Sequence, residues 1–475
     1  MKKYILIIGM LLSLLFVSCK EKVVEVCKDD CYKEITKEVE QKIEFKEEWE
    51  SNPLYHYHVS LDGVYLKDNE EHDFLESETE EYIVKICKIC HYEIKTKKEV
   101  HEHFYNDVLE YDSEYHFYRA ICCEGERTEV EAHTFSSWEV TIVPTVETEG
   151  LQERNCEKCG YVESEVLPRL QVQKIKKLKP GDTVALLNPA SQSSVSDVNK
   201  AKAALEDYGF NVKVMQSSLT GATYSVPYLA LSDAQRAKEI NDCFKDDSIN
   251  GIICMRGGYG SSRTLDLLDY ETIKAHPKFF IGYSDITALI NAFYFKCGFI
   301  SYQGFMGSSL ISSSLDQITK ENILSVLFSY QEGVTYNYGS YISKSKATVR
   351  GTLIGGNLSL FTHLLGSEYL PNCKDKIIFI EDTGEGAYQL DRMFTKLRLF
   401  GVFNECRGVV LGYFTNASQK TQIEELLTRE FGNMNIPVLK GFPSGHEYPS
   451  ISLPIGATVE LSPNGLKIVS EVYTK

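Results

Sequence analysis

The stretch Lys278-Phe-Phe-Ile-Gly-Tyr-Ser-Asp-Ile-Thr287 combines a short apolar run, a serine and the polar beginning of a helical pattern. This order predicts a buried strand that ends in a sharp turn and continues as a helix. A serine at such a turn, here Ser284, projects its hydroxyl beyond the edge of the sheet, where helix amides can stabilise a developing oxyanion. The alternative is that Ser284 caps the helix that begins near Asp285.

Strand and helix patterns alternate on both sides of this stretch, over residues 174–334. Strands are predicted at 183–187, 211–214, 251–255 and 278–281, and helices at 196–208 and 233–244. Such alternation is typical of an α/β domain with a flavodoxin-like parallel sheet and helices on both faces. The active site should then lie at the carboxyl ends of the strands.

The pattern changes after residue 334. Strand-like segments at 351–357, 376–380, 408–413 and 457–461, with a helix at 389–400, predict a smaller mixed α/β domain over residues 335–475. A cleft between this domain and residues 174–334 is the expected place for a ligand.

A serine nucleophile needs a base, and the base needs an orienting partner. Three histidines follow Leu170, namely His276, His363 and His446. His276 precedes a proline, which favours a surface or turn position, and His363 lies in an apolar helical pattern typical of a core residue. His446 lies in a loop rich in glycine and proline, so His446 is the predicted base.

The orienting carboxylate is predicted at the end of the apolar strand 376–380. Glu381 follows that strand directly, so its side chain emerges at the strand end. Asp382 and Glu385 are the alternatives for the same role.

Seven short motifs, in this order, resemble the LD-carboxypeptidase family, which includes muramoyl-tetrapeptide carboxypeptidases and microcin-immunity peptidases. Over about residues 174–475 they are Gly181-Asp-Thr-Val184, Met255-Arg-Gly-Gly-Tyr-Gly260, Phe280-Ile-Gly-Tyr-Ser-Asp-Ile-Thr287, Gly355-Gly-Asn-Leu-Ser359, Phe379-Ile-Glu-Asp382, Asp391-Arg392 and Leu453-Pro-Ile-Gly456. The resemblance implies a triad of Ser284, Glu381 and His446. It also implies an oxyanion hole formed by the amides of Gly258 and Asp285, a homodimer, and catalysis without a metal or organic cofactor.

Two positions depart from the family pattern. Gln303-Gly-Phe-Met306 stands where many relatives have His-Gly-Pro-Met, and Ser450 stands where many have asparagine four residues after the catalytic histidine. We expect these changes to affect the choice of substrate more than the chemistry.

The activity implied by the resemblance is that of a serine-type L,D-carboxypeptidase. It would release the terminal D-Ala from peptidoglycan tetrapeptides through an acyl-enzyme. Hydrolysis of microcin-like nucleoside peptides is the enzymatic alternative, and a non-catalytic surface lipoprotein that binds peptides is the alternative from another class. The formal net charge of −17 argues against binding of nucleic acid, which requires lysine and arginine to neutralise phosphates.

Residues 1–19 resemble a bacterial lipoprotein signal. Two lysines precede an apolar run, and Leu15-Phe-Val-Ser-Cys19 has the form of a lipobox. Cleavage before Cys19 and acylation of its thiol would anchor the protein to a bacterial membrane, facing the periplasm or the cell surface. A plain signal peptide or a short membrane anchor is the alternative. Residues 20–54 are rich in charge and predict a tether or an exposed helix.

Residues 55–170 repeat a pattern in which a histidine and an aromatic residue precede a pair of cysteines. The copies are His72-Asp-Phe74 with Cys87 and Cys90, His103-Phe104 with Cys122 and Cys123, and His133-Thr-Phe135 with Cys156 and Cys159. This repetition predicts small β modules, and the last copy resembles Cys/His accessory repeats of bacterial surface proteins.

The cysteine pairs are candidate ligands of a structural metal ion. Cys87, Cys90, Cys156 and Cys159, with His133, offer the thiolate and imidazole groups that Zn²⁺ prefers. Disulfide bonds, which suit an exported protein, and reduced packing cysteines are the alternatives. The cysteines at 243, 254, 297, 373 and 406 show no motif and are predicted to be buried packing residues.

Overall fold

The computed structural model describes residues 23–26, 32–35, 43–99, 102–219, 226–416 and 418–474. It divides into two compact units, Met1–Glu131 and Ala132–Lys475. The predicted lipobox and Cys19 lie outside the described residues. Of the helices in the described ranges, none combines the length and the apolar character needed to cross a bilayer.

The first unit is built from short strands in three small sheets. Their spatial orders are Tyr32–Ile35, Val23–Val26, Tyr65–Glu71, Tyr55–Val59 and Glu50–Ser51 in one sheet; Phe74–Glu78, Tyr82–Cys87 and Glu93–Lys97 in another; and Arg127–Ala132, Tyr115–Ala120 and Tyr105–Tyr111 in the last. The prediction of a tether or exposed helix for residues 20–54 is wrong at Val23–Val26 and Tyr32–Ile35, which pair as antiparallel strands. Both segments carry β-branched or aromatic residues, which favour strands over helices.

The second unit begins with a further three-stranded sheet, ordered Glu139–Ile142, Gly150–Asn155 and Val162–Leu167. The adjoining loop is fastened to the rest of the unit. The amide of Val146 donates to the carbonyl of Phe295 at 3.2 Å, and Glu147 Oε1 lies 2.9 Å from Lys376 Nζ. The compact unit therefore starts at Ala132, whereas the sequence placed the end of the small modules at 170.

The first large sheet of this unit is the parallel α/β sheet that the sequence predicted. Its spatial order is Asn211–Val214, Thr183–Leu187, Gly251–Cys254, Phe279–Gly282, Ser301–Gln303 and Leu453–Ile455. The first five strands are parallel, and the sixth is antiparallel to its neighbour. The sixth strand comes from the carboxyl-terminal part of the chain, which the sequence assigned to the other domain.

Helices follow the strands of this sheet. They span Val195–Asp207, Gln216–Leu219, Asp233–Lys245, Tyr270–Ala275, Thr287–Ala292, Gly307–Leu310 and Gln317–Phe328, with 3₁₀ segments at Ser261–Leu267 and Ser284–Ile286 and a π segment at Phe293–Cys297. Local sequence explains where they begin. At Asp233, for example, the side chains of Ser232 and Gln235 form a reciprocal capping box.

The second large sheet is the mixed sheet expected of residues 335–475. Its order is Thr335–Tyr336, Gly465–Ile468, Thr458–Ser462, Val349–Asn357, Lys376–Thr383, Gly408–Thr415, Val438–Lys440 and Ser340–Tyr341. Its helices are Leu358–Leu364, Ala387–Leu399, Val402–Glu405 and Lys420–Phe431. The central pairs are parallel and the outer pairs antiparallel.

The helix Thr287–Ala292 connects the two large sheets. Its Asn291 side chain accepts a hydrogen bond from the amide of Gly355 at 3.1 Å and donates to the carbonyl of Gly355 at 2.9 Å. Thr287 Oγ1 accepts from the amide of Asn357 at 2.9 Å. Both partners lie at the carboxyl end of a strand of the second sheet, so strand ends of both sheets meet here.

Candidate active site

Ser284 stands at the turn between the strand Phe279–Gly282 and the helix Thr287–Ala292. Its φ of +62° lies in the left-handed region, which costs a residue with a Cβ roughly 1–2 kcal/mol. Strain of this kind at a strand-to-helix turn is typical of an exposed nucleophile. The alternative role as a helix cap is not what the structure shows, since Tyr283 holds the cap position.

Asp285 holds the turn that carries Ser284 in place through contacts with Ser261. Its side chain is fully buried, and Oδ2 accepts a hydrogen bond from the amide of Ser261 at 2.7 Å. Ser261 Oγ also donates to the backbone carbonyl of Asp285 at 2.5 Å. Burial raises the pKa of the Asp285 carboxyl above its ordinary value, although the hydrogen bonds from Ser261 oppose the change. The turn is thus tied to the segment that follows the loop Arg256–Gly260.

This loop packs tightly against the serine. A Cβ on Gly257 would lie 2.8 Å from Ser284 Cβ, and a Cβ on Gly258, whose φ is +104°, would clash with Ser191 Oγ on the other side of the loop. Only glycine therefore permits this approach. Within the described ranges, neither the Gly258 amide nor the Asp285 amide donates to a protein acceptor, so both can bind an oxyanion.

Arg236 holds the loops around the turn. Its guanidinium is 1% exposed and donates to the carbonyls of Pro189, Leu231 and Gly260 at 2.5, 3.1 and 2.7 Å. It also pairs with Asp233. Sequence reasoning missed Arg236, because an arginine in an amphipathic helix is usually exposed and these acceptors are backbone carbonyls that carry no sequence signal.

Glu381 and His446 form a hydrogen-bonded pair. His446 Nδ1 lies 2.7 Å from Glu381 Oε2, and the Glu381 side chain is completely buried. Gly445 makes room for this contact: its φ is +128°, and a Cβ there would lie 2.7 Å from Glu381 Oε2. The tip of Glu381 is therefore confined between the strand end and the histidine loop.

Asp382 and Glu385, the alternatives to Glu381, do not occupy its position beside His446. Asp382 Oδ2 accepts from the amide and the hydroxyl of Ser359 at 2.9 and 2.8 Å, and its Oδ1 accepts from the Asn357 side chain at 3.0 Å. Asp382 therefore supports the beginning of the helix Leu358–Leu364. Glu385 lies in a half-buried turn beyond the strand.

The buried pair changes the acidity of both partners. Burial raises the pKa of Glu381 above its ordinary value, and the hydrogen bond with His446 opposes this. Burial lowers the pKa of His446, but the hydrogen bond and charge of Glu381 outweigh it, so the pKa of His446 lies above its ordinary value. In neutral His446, Nδ1–H donates to the carboxylate, which leaves Nε2 as the proton acceptor.

Ser284 and His446 line the same cavity, of about 260 Å³. Its other lining residues are Ser193, Ser194, Asp197, Met255, Arg256, Gly257, Gly258, Tyr283, Met306, Ser308 and Ile311. The Tyr283 ring packs edge-on against the imidazole, with centroids 4.9 Å apart. Between described residues, no hydrogen bond joins Ser284 Oγ to His446; in enzymes without substrate such bonds are often long and tighten on binding.

The other two histidines of this region lie outside the cavity. His363 is exposed, which corrects the prediction of a core position. Its helical neighbours Phe361 and Leu364 face the core, and the rotation of the helix turns His363 away from it. His276 ends the helix Tyr270–Ala275 in a half-buried position, as a turn residue was expected to.

Gln303, Phe305 and Ser450, which depart from the family pattern, are not among the residues that line the cavity. Gln303 and Phe305 are buried, with 1% and 5% exposure, whereas Met306, which the pattern shares, lines the cavity. Ser450 Oγ donates to the carbonyl of Gly445 at 3.3 Å, so it supports the histidine loop from outside. The five cysteines without a motif are all buried, as predicted.

The predicted metal ligands separate into different clusters. Cys87 and Cys90 lie with His72 and with His56, which the sequence did not single out. Cys159 Sγ lies 3.4 Å from His133 Nδ1, and His133 also hydrogen-bonds to Cys156. His103, Cys122 and Cys123 form another group. In the described part of the chain no cysteine is disulfide-bonded.

Comparison with known proteins places this arrangement in a family. The LD-carboxypeptidase N-terminal domain matches residues 184–304, and the LD-carboxypeptidase C-terminal domain matches residues 350–461. A probable murein peptide carboxypeptidase of Bacillus subtilis strain 168 is 33% identical over 298 residues, covering 61% of this chain and 91% of the relative. The microcin C7 self-immunity protein MccF of Escherichia coli is 31% identical over 334 residues, covering 62% and 95%.

A solved structure agrees with these matches. The crystal structure of muramoyltetrapeptide carboxypeptidase from Oxalobacter formigenes superposes with a TM-score of 0.55 at 26% identity, covering 62% of this chain and all of the other. The two family models match residues of the second unit.

Proposed function

The chain belongs to the LD-carboxypeptidase family, and we propose that it is a serine-type L,D-carboxypeptidase that releases the terminal D-Ala of peptidoglycan tetrapeptides. One observation carries the proposal. His446, which is hydrogen-bonded to Glu381 at 2.7 Å, lines the same cavity as Ser284, and Ser284 stands at a turn with a strained backbone. A nucleophile, a base and an orienting carboxylate are the three groups that acyl transfer by a serine requires.

The reaction follows from the position of each group. His446 Nε2 takes the proton of Ser284 Oγ as this oxygen attacks the carbonyl carbon of the scissile bond, and Glu381 stabilises the imidazolium. The negative charge on the carbonyl oxygen faces the amides of Gly258 and Asp285. The imidazolium then protonates the departing amine of D-Ala. Water, deprotonated by His446, hydrolyses the acyl-enzyme and restores the serine.

The charges around the cavity support a peptide with a terminal carboxylate. Arg256 lines the cavity and donates to the carbonyl of Gln192 at 3.2 Å, which holds a permanent cation at the wall. The amino terminus of the helix Val195–Asp207, capped by Ser194, adds positive potential at the same wall. A carboxypeptidase needs such groups to recognise the free end of its substrate.

The same wall also carries a negative charge. Asp197, in the first turn of that helix, lines the cavity. In our proposal it pairs with the side-chain amine of meso-diaminopimelate or lysine at the third position of the stem peptide. This pairing would place an L-centre beside Ser284 and the D-Ala carboxylate beside Arg256.

Hydrolysis of a nucleoside peptide is the second candidate, because the microcin self-immunity protein is 31% identical and the chain covers 95% of it. A direct comparison separates the two. The full chain would be given L-Ala-D-Glu-mDAP-D-Ala, its lysine counterpart, the same peptides ending in L-Ala, and an aminoacyl sulfamoyl adenosine. We expect the highest kcat/KM with one of the D-Ala tetrapeptides. A higher kcat/KM with the sulfamoyl adenosine would overturn the assignment.

We also propose that Cys19 is acylated and anchors the enzyme to a bacterial membrane, facing the periplasm or the cell surface, and that the enzyme is a homodimer. The lipobox-like Leu15–Cys19 sequence supports the first statement. Mass spectrometry of the amino-terminal peptide and membrane fractionation would test it, with Cys19→Ala expected to release the protein into the soluble fraction. Light scattering in detergent would test the dimer.

A further inference from the structure

Four metal-binding side chains converge in the first unit, and none of them lines the catalytic cavity. His56 lies on the strand Tyr55–Val59, His72 directly follows Tyr65–Glu71, Cys87 ends Tyr82–Cys87, and Cys90 lies in the next turn. One ligand atom from each lies within 4.8 Å of the others. Cys90 Sγ is 3.4 Å from His72 Nδ1, and Cys87 Sγ is 3.8 Å from His56 Nδ1.

The turn between the cysteines is shaped to hold two sulfur atoms. The amide of Cys87 donates to the carbonyl of Tyr92 at 2.9 Å, and the amide of His91 donates back to the carbonyl of Cys87 at 3.1 Å. The amides of Ile89 and Cys90 hydrogen-bond to the Cys87 sulfur. N–H groups directed at sulfur stabilise a thiolate, which is the form that binds a metal ion.

The same turn recurs at the last cysteine pair. The amide of Cys156 donates to the carbonyl of Tyr161 at 2.8 Å, and the amide of Gly160 donates to the carbonyl of Cys156 at 2.9 Å. The Tyr161 ring stacks on His133 with centroids 4.7 Å apart, as Tyr92 stacks on His72 at 4.9 Å. The same backbone turn at both cysteine pairs indicates a role in metal binding rather than in packing alone.

Neighbouring groups orient the two histidines of the first cluster. His72 Nε2 lies 2.7 Å from the carbonyl oxygen of Asn52. Since a carbonyl only accepts, Nε2 carries the proton and the lone pair of Nδ1 faces the cysteines, as in protein zinc sites. The Trp49 ring packs edge-on against His56 at 4.7 Å and covers it from one side.

His56 has a polar atom that the protein does not satisfy. The residue is fully buried, and within the described residues its Nε2 has no hydrogen-bond partner. Its other nitrogen has only the thiol of Cys87, at 3.8 Å. Within the described residues His56 therefore makes no hydrogen bond to an oxygen or nitrogen atom, and one of its ring nitrogens can bind an ion among the four side chains.

The first unit also lacks the apolar core that would stabilise it. Its buried apolar side chains in the described ranges are Val59, Leu66, Val84, Cys87, Phe117 and Ala120. A small β unit with so few buried groups usually depends on disulfides or a metal ion. No disulfide joins the cysteines of its described part.

We propose that His56, His72, Cys87 and Cys90 bind one structural Zn²⁺ ion. Two thiolates and two imidazoles form the tetrahedral Cys₂His₂ set that favours zinc over magnesium or calcium, which take oxygen ligands. The ion links the strands of two small sheets of the first unit and replaces the missing core. It supplies no step of the peptidase reaction, because all four ligands lie outside the catalytic cavity.

Zinc content measured by inductively coupled plasma mass spectrometry on the full chain tests this. Cys90→Ser and His72→Gln should each contain one zinc per chain less than the wild type. His58→Gln is the matched control, since His58 lies on the same strand as His56 but outside the cluster; it should retain the wild-type content. Peptidase activity of the variants should be unchanged, which shows that the rest of the chain is folded.

Cobalt substitution gives a readout of the ligands themselves. The wild type loaded with Co²⁺ should show a thiolate-to-metal charge-transfer band that weakens in Cys90→Ser but not in His58→Gln. Equal zinc contents in the wild type, Cys90→Ser and His72→Gln would overturn the proposal. So would a Cys87–Cys90 disulfide, found by peptide mapping of protein purified without reductant.

Discussion

In the proposed mechanism, Glu381 controls the pH at which His446 can act as a base. The hydrogen bond and charge of Glu381 outweigh burial and hold the pKa of His446 above its ordinary value. Because the base must be neutral, activity is lost as the pH falls through that pKa. In Glu381→Gln the hydrogen bond to a charged carboxylate and the charge of Glu381 disappear, while burial and the weaker effect of the Asp382 charge remain, so the acidic limb of kcat/KM should move to lower pH. We also expect kcat to fall about 10⁴-fold, as for other triad carboxylates.

Glu385→Gln is the matched control, since it removes a half-buried carboxylate four residues further along the chain. Its profile should equal that of the wild type. An unchanged acidic limb in Glu381→Gln would contradict the role assigned to this pair.

Arg256 should determine preference for a free carboxyl terminus. In Arg256→Ala, kcat/KM for the tetrapeptide should fall about 10- to 100-fold, because one charge-assisted hydrogen bond is lost. The tetrapeptide with an amidated D-Ala should be cleaved slowly and equally by both proteins. Arg392→Ala, at an exposed arginine outside the cavity, is the control. An equal loss on both peptides would assign Arg256 to structure.

The sequence pointed to these residues unequally. Ser284 and Glu381 lie at the carboxyl ends of apolar runs that form strands, although the strand of Glu381 continues to Thr383, and strand ends are where α/β sites form, so both could be identified locally. Arg236 could not, because its partners are carbonyls far apart in the chain that only the fold brings together. His363 was predicted to lie in the core but is exposed. An apolar pattern does not show which face of a short helix is turned towards solvent.

The loop before His446 depends on a glycine. Gly445→Ala would add a Cβ 2.7 Å from Glu381 Oε2, at a φ of +128°. We expect kcat to fall by at least 100-fold, because a small displacement of a catalytic group has effects of that order. Steady-state kinetics on the tetrapeptide would measure it.

Gly401→Ala separates the steric effect from backbone strain. Gly401 also has a positive φ, of +74°, but an added Cβ would meet no atom within 4 Å. This variant should lose about 1 kcal/mol of stability and keep its kcat. If both variants showed equal kcat values, the fit around Glu381 would not be critical.

Strand positions in the two large sheets followed from short apolar runs between turns, and those predictions agree with the structure to within a few residues. Leu453–Ile455 was not predicted to join the first sheet, since its partner Ser301–Gln303 lies far away in the sequence. Pairing of an antiparallel edge strand over such a distance leaves no local pattern. No local pattern identifies His56 either, since the pairing of its strand with the next brings it close to His72, Cys87 and Cys90.

The last of the small sheets, with strands Glu139–Ile142, Gly150–Asn155 and Val162–Leu167, is part of the second unit. The amide and side chain of Asn372 donate to Glu147 Oε2 at 2.9 and 2.6 Å, in addition to the Lys376 contact. A protein of residues 132–475 should therefore keep the kcat of the full chain. A protein of residues 174–475 should unfold at a temperature about 2–8 °C lower, because these contacts are lost.

Differential scanning fluorimetry of both proteins would test this. Glu147→Gln in residues 132–475 should have a melting temperature between those of the two truncated proteins. Equal melting temperatures for the two truncated proteins would show that the loop adds nothing. The sequence placed this boundary at 170–174 because composition changes there, whereas the contacts across it involve single polar residues that composition does not reveal.

We propose that Ser284 attacks the carbonyl carbon of the bond before a terminal D-Ala. The most direct measurement is D-Ala release, by mass spectrometry, from L-Ala-D-Glu-mDAP-D-Ala and its lysine counterpart by the full chain and by Ser284→Ala. The wild type should release D-Ala, and Ser284→Ala, with an unchanged melting temperature, should be slower by about a millionfold. Release at the same rate by both proteins, or by neither when both are folded, would contradict the account.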